Sequence, residues 1–309
     1  MTYFISSLSE YFSVISNSRY LRTHIKINEV KKYMITDFHT HVYPDKIAEK
    51  TINTLMDSAP DAKAYTKGTL NALLESMENA GIDKSVILPV ATRKGQFDTI
   101  NKFALNINSN YKNLVSFGGI HPDDDAPEDK LRFLKENGFK GVKIHPDYTG
   151  TFIDDERYIK IIEECARLDL KIVTHAGVDP AFDVIHCPPQ KARYVLDKVQ
   201  SETGIKKPFI IFAHLGGIYV YEDVKKYLLG TQCYIDISCS FSELGSFCNT
   251  TEKDVVEAIK IHGADKFLFA SDSPWNDQKS YVEKFKSIKN LTDKEKDMIL
   301  YQNAEKILS

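Results

Sequence analysis

No apolar run in this chain approaches the roughly 18 residues that a membrane-spanning helix requires, so no membrane segment is expected. Neither sign of charge dominates: 40 basic residues face 43 acidic ones, with both signs spread along the chain. Without a basic block or stripe, no nucleic-acid partner is expected. The five cysteines (Cys165, Cys187, Cys233, Cys239 and Cys248) are odd in number and lack CxxC spacing. That argues against a disulfide framework and a zinc-thiolate site, and for reduced thiols in a cytoplasmic protein. The first 33 residues open without positive charge and lack the apolar core of a signal peptide. They are read as an N-terminal extension or the product of an upstream start codon, ahead of a domain spanning residues 34–309.

What the chain does contain is alternation. With 309 residues and 42% hydrophobic content it can bury a large core, and one large domain is the default expectation. Short runs rich in Val, Ile and Phe recur at 34–38, 85–90, 114–119, 139–144, 170–174, 208–213, 232–237 and 266–270. Between and after them lie segments with helical spacing at 69–80, 98–109, 127–137, 155–168, 189–203, 219–229, 252–262 and 278–289. Pro127 suits a first helical turn, and Gly81, Gly138, Gly204 and Gly263 suit helix ends. A further helix near 292–308, opened by Thr292 or Asp293, lies outside the barrel set. Eight strands each followed by a helix predict an α/β fold, a closed (β/α)8 TIM barrel. An open doubly wound sheet shares this grammar, but His-Thr-His-Val-Tyr-Pro follows the first strand where such a sheet usually has a glycine-rich turn.

Six of the nine histidines fall at or just after a predicted strand end. In a barrel all those ends face one rim. His39 and His41 follow the first strand, His121 the third, His145 the fourth, His175 the fifth and His214 the sixth, while Asp272 follows the eighth. Residues two apart in extended backbone point the same way, so His39 and His41 can reach one cation. Neutral imidazoles and a carboxylate suit a divalent ion such as zinc, and His39, His41, His175 and Asp272 provide such a set with room for water. A lone strand-end histidine is more often a packing or surface residue; the constellation carries the metal reading. His24, His186 and His262 lie away from strand ends and receive no role. The run Asp123 to Asp125 reads as a solvated turn and helix start.

The segments DFHTH, GGIHP, GFKGVKIHP, IVTHAG, FAHLGG and LFASDSPW, in this order, resemble the amidohydrolase superfamily. Within it they resemble the amidohydrolase-related metal-dependent hydrolases that include aminocarboxymuconate semialdehyde decarboxylase. The resemblance runs over residues 34–309, and the terminal NAEKIL is similar too. It implies a TIM barrel of metallo-dependent hydrolase type, with one zinc on His39, His41, His175 and Asp272. It also implies His214 as a catalytic acid or base facing the metal water, and Asp272 as a second proton acceptor. Lys143 stands where binuclear members carry a carboxylated, metal-bridging lysine. Its alternatives are a barrel-interior lysine paired with a carboxylate such as Asp37, or a substrate anchor, and these are preferred. Relatives in this superfamily are often homodimers.

Arg93, His145, Tyr148 and Trp275 are candidates to shape the substrate pocket, although each also reads as an exposed loop residue. Arg93 suits a substrate carboxylate because of its bidentate donors. Hydrolysis of an amide, ester or lactone of a small molecule is the leading expectation. The alternative is zinc-dependent, non-oxidative decarboxylation of a small unsaturated or aromatic acid. A non-catalytic binding or scaffold barrel would require lost ligands, and all are present.

Overall fold

The computed structural model describes residues 33–59 and 61–309, so the expected extension over 1–33 lies, Tyr33 excepted, outside the described residues. Parallel strands run β1 Thr36–Thr40, β2 Lys84–Ile87, β3 Leu114–Ser116, β4 Gly118–Gly119, β5 Gly141–Ile144, β6 Lys171–Thr174, β7 Ile210–Phe212, β8 Tyr234–Asp236 and β9 Phe267–Leu268. They pair in sequence order as β1-β2-β3 and β4 through β9. The third expected strand is thus divided at Phe117, whose N–H still bonds the Ile87 carbonyl at 2.9 Å, so β3 and β4 act as one stave. The ring closes where the Phe38 N–H donates to the Phe269 carbonyl at 2.8 Å and the Asp272 N–H to the His39 carbonyl at 2.9 Å. This is the expected barrel.

Its strands are buried on both faces, as apolar parallel strands covered by helices must be. Phe38, Val86, Leu88, Phe117, Val173, Ile211 and Leu268 form a core cluster, closed by Ala304 and Ile307 near the C-terminus. The helices match their expected spans to within two residues at each end, and 219–229 shortens by two at both, to Tyr221–Tyr227. Glu156–Leu168 begins where the Asp155 carboxylate accepts the Arg157 N–H, the satisfaction of an otherwise orphaned helix donor. The expected 292–308 helix opens with a Thr292–Glu295 capping box, but is interrupted by a π-helical stretch at Met298–Gln302.

Two α-helices were not expected: the single turn Pro146–Thr149 after β5, and Asp45–Ser58, inserted after β1. The longer one has Pro44 as its N-cap, with no side-chain cap, and Asp45 in its first turn is the local signal of its start. Among the described residues, no helix is long and apolar enough to cross a membrane.

Candidate metal centre

β1 and the segment after β9 are stitched together by Asp37. Its carboxylate accepts from the His39 and Ser271 backbone N–H groups at 3.2 and 2.9 Å and from Gln278 Nε2 at 2.7 Å. Burial pushes its pKa up to about 6 against those hydrogen bonds. The suggested Lys143–Asp37 pairing is therefore not what forms. Asp37 is committed to Ser271 and Gln278, while Lys143 Nζ lies 3.2 Å from His39 Nε2.

His39 and His41 converge as the two-residue spacing predicts, their Nε2 atoms 3.2 Å apart, despite a register irregularity between Asp37 and Thr40. Asp272 Oδ1 stands 3.5 Å from His39 Nε2 and 3.1 Å from His41 Nε2. The other ring nitrogens decide the tautomers. His41 Nδ1 lies 2.8 Å from the Leu88 carbonyl, which can only accept. His39 Nδ1 lies 2.8 Å from Asp236 Oδ2. Burial raises the Asp236 pKa, but His39 and its other hydrogen-bond donors outweigh this and keep it well below the usual carboxylate range. Both Nδ1 atoms therefore donate, and both Nε2 atoms present lone pairs to each other.

Asp272 completes the same pattern. Burial pushes its carboxyl up, but His39, His41 and His214 hold it well below the ordinary range. The Cys239 thiol donates to Oδ2 at 3.2 Å, while Oδ1 is buried without a hydrogen-bond partner. Three acceptor atoms thus face one another, the arrangement that neutral histidine and carboxylate ligands offer a divalent cation. Lys143 is the cation already within reach; burial pulls its pKa down to about 8, against Asp236 and Asp272.

His175, the fourth expected ligand, enters this group through His214: its Nδ1 is 3.1 Å from His214 Nε2. His214 shares a potential ligand cluster with Cys239 and Asp272, whereas His175 clusters with His145 and Asp179. His214 Nδ1 is 2.8 Å from Ser238 Oγ, and Ser238 passes its own proton to Asp236 Oδ1. Hence His214 Nδ1 donates, leaving Nε2 as an acceptor beside His175 Nδ1. Burial holds the His175 and His214 pKa values low. The loops carrying these two histidines are pressed together at Gly177, where a Cβ would sit 2.2 Å from the Ile218 nitrogen. Only glycine fits that approach.

The substrate candidates meet around one cavity of about 660 Å³, lined by His39, His41, Lys143, His145, Tyr148, His175, His214, Asp272, Arg93 and Trp275 among others. His145 stacks on His175 with centroids 4.3 Å apart, and Tyr148 packs edge-on against His145. Arg93 is exposed, held in its loop by its backbone N–H to Gln96. His121 stands apart, its Nδ1 accepting from the Asp123 N–H at 3.1 Å. In the acidic run, Asp124 is buried and pairs with Lys130, while Asp125 pairs with Lys94.

Three contributors escaped the sequence reading. Asp236 sits inside an apolar strand, and its ionisable character within QCYIDI was the available signal. Cys239 belongs to no motif. Asp147 accepts from His186 through Oδ1, while its Oδ2, 3.8 Å from His175 Nε2, is buried without a partner. His214, Cys239 and Asp272 all adopt positive φ, which turns their side chains at a local backbone cost.

The family model described as Amidohydrolase matches residues 36–309. Comparison with curated proteins gives no significant match. Among solved structures, an uncharacterized TIM-barrel protein from Bordetella bronchiseptica is 16% identical over 89% of this chain and 98% of its own, with a TM-score of 0.66. The 5-carboxyvanillate decarboxylase of Novosphingobium aromaticivorans, complexed with manganese, is 14% identical over 90% and 97%, TM-score 0.66. A dihydroxybenzoic acid decarboxylase from Polaromonas sp. JS666, with bound manganese and 2-nitroresorcinol, is 14% identical over 89% and 97%, TM-score 0.65. At such identities these structures establish the shared fold alone. With the family model spanning the whole barrel, this chain belongs to the amidohydrolase family.

Proposed function

We propose that this protein is a metal-dependent hydrolase acting on an amide, ester or lactone of a small molecule. One divalent cation, zinc by the chemistry of the ligands, would be held by His39, His41, His175 and Asp272. When bound, such an ion lowers the pKa of a water and polarises a carbonyl oxygen. The observation that carries the reading is the hydrogen-bond setting of His214. Its Nδ1 is tied through Ser238 to Asp236, so Nε2 faces the cluster as a proton acceptor. A base in that position takes the proton of an attacking water and returns it to the leaving nitrogen or oxygen.

Asp272 supports the same step: Cys239 occupies Oδ2, leaving Oδ1 free to bind the cation or hold a proton. Arg93, His145, Tyr148 and Trp275 would orient the substrate in the shared cavity, with Lys143 as a buried cation able to anchor an anionic group. His214→Asn tests this directly. Metal content is expected to persist while kcat falls by about 10²–10⁴-fold. Unchanged kcat would remove His214 from the chemistry.

A second reading, non-oxidative decarboxylation of a small unsaturated or aromatic acid, draws support from two of the structurally similar proteins, both decarboxylases. Arg93 and Lys143 on one cavity would suit a substrate carboxylate. Carbon dioxide release from a panel of such acids, with no turnover of amides, esters or lactones, would favour it.

A further inference from the structure

The inserted helix Asp45–Ser58 has a buried face and a cavity face. Ala48 and Ile52 are buried, whereas Ile47, Thr51 and Leu55 line the cavity. Positions 47, 51 and 55 are four apart, hence on one helical stripe about 12 Å long at 1.5 Å per residue. The helix Phe97–Asn110 contributes a second stripe, Ile100 and Phe103, to the same cavity. The floor and mouth differ in exposure: His39 and Lys143 are both 1% exposed, while Ile47 is 49% exposed. The cavity of about 660 Å³ is also several times the roughly 150 Å³ that accommodates a benzene ring. A single-ring acid at the histidines would leave these apolar stripes in water.

We propose that the substrate is an amphiphile, with its reacting polar head at the histidine cluster and an acyl chain of medium length between these two helix stripes. The head's chemistry rests on the hydrolase reading above; the chain's site rests on the helix faces. Ile47, Thr51, Leu55, Ile100 and Phe103 then set specificity for chain length. The chain leaves water for an apolar channel continuous with the site, so affinity must climb with each added methylene.

Trp275, the only tryptophan of the chain, lines the cavity and reports on its occupancy. The experiment titrates sodium alkanoates from acetate to decanoate into zinc-loaded and EDTA-treated protein, followed by Trp275 fluorescence and by calorimetry. Affinity is expected to rise about fourfold per methylene from butanoate to octanoate. In Leu55→Asn and Ile100→Asn the slope should flatten, with acetate binding unchanged and the folded spectrum retained. A series that is flat in wild type, or a slope unaltered in both variants, overturns the channel. A rising slope with head-group binding indifferent to zinc keeps the channel and counts against the metal-dependent hydrolase. A flat series whose binding depends on zinc does the reverse.

Discussion

Two buried histidines of this barrel are alike in burial and basicity and sit in different surroundings. His39 is 1% exposed and His262 is 2% exposed, and burial pulls the pKa of each down to about 4. His262, at the end of the helix Glu252–His262, has both ring nitrogens satisfied. Nδ1 accepts the Gly230 N–H at 2.9 Å and Nε2 donates to the Cys233 carbonyl at 2.9 Å. His39 is anchored by Asp236 at Nδ1, while its Nε2 meets Lys143 Nζ and His41 Nε2, each at 3.2 Å, and Asp272 Oδ1 at 3.5 Å. Burial and depressed basicity therefore do not distinguish a proposed ligand from a packing residue. The number of acceptor atoms crowded around one ring nitrogen does.

The contrast breaks most sharply at the ligands. Asp272→Asn or His39→Ala is expected to remove bound metal and lower kcat/KM by at least about a thousandfold, several kcal/mol of transition-state stabilisation. His262→Gln should leave both untouched, and elemental analysis beside steady-state kinetics reads the difference.

Acid stability is where His262 should show itself instead. Its folded pKa, about 4, lies below the unfolded value of 6.5, so between those values the unfolded chain binds more protons. Stability is then lost as pH falls from 6.5 toward 4, by an amount on the order of 3 kcal/mol from this group. Urea melts across that window should have a shallower pH slope in His262→Gln than in wild type. Identical slopes would mean that the buried imidazole is already protonated.

Smaller effects sharpen the other side of the comparison. Asp236→Asn weakens the anchor on His39 without touching a ligand, and a fall in zinc affinity of about 10–100-fold is expected from competition with a chelating dye. Cys239→Ala removes one donor from Asp272 Oδ2 and should cost about threefold to tenfold in the same assay. An effect of Cys239→Ala larger than that of Asp236→Asn would make the sulfur itself a ligand.

Most of the barrel was legible because its strands are buried on both faces and so read as continuous apolar runs, while its helices are punctuated by residues such as Asp155, Pro127 and Thr292. The break at Phe117 left no mark on the run 114–119, since backbone pairing depends on register that composition does not encode. The helix Asp45–Ser58 was missed because Pro44 offers no side-chain cap and its apolar residues are shared between two faces. At the site, the histidines were visible through their strand-end positions, and His39, His41 and Asp272 do come together. Asp236, Cys239 and Asp147 were not, because they act by orienting other side chains from positions without a motif. The positive φ angles of His214, Cys239 and Asp272 are likewise a product of loop closure that residue identity alone does not announce.

Whether this barrel holds a metal is read by elemental analysis of protein purified without chelators, beside Asp272→Asn and His262→Gln. About one zinc per chain is expected in wild type and His262→Gln, and none in Asp272→Asn. Wild-type protein that holds no metal and takes up none when it is added would contradict that expectation.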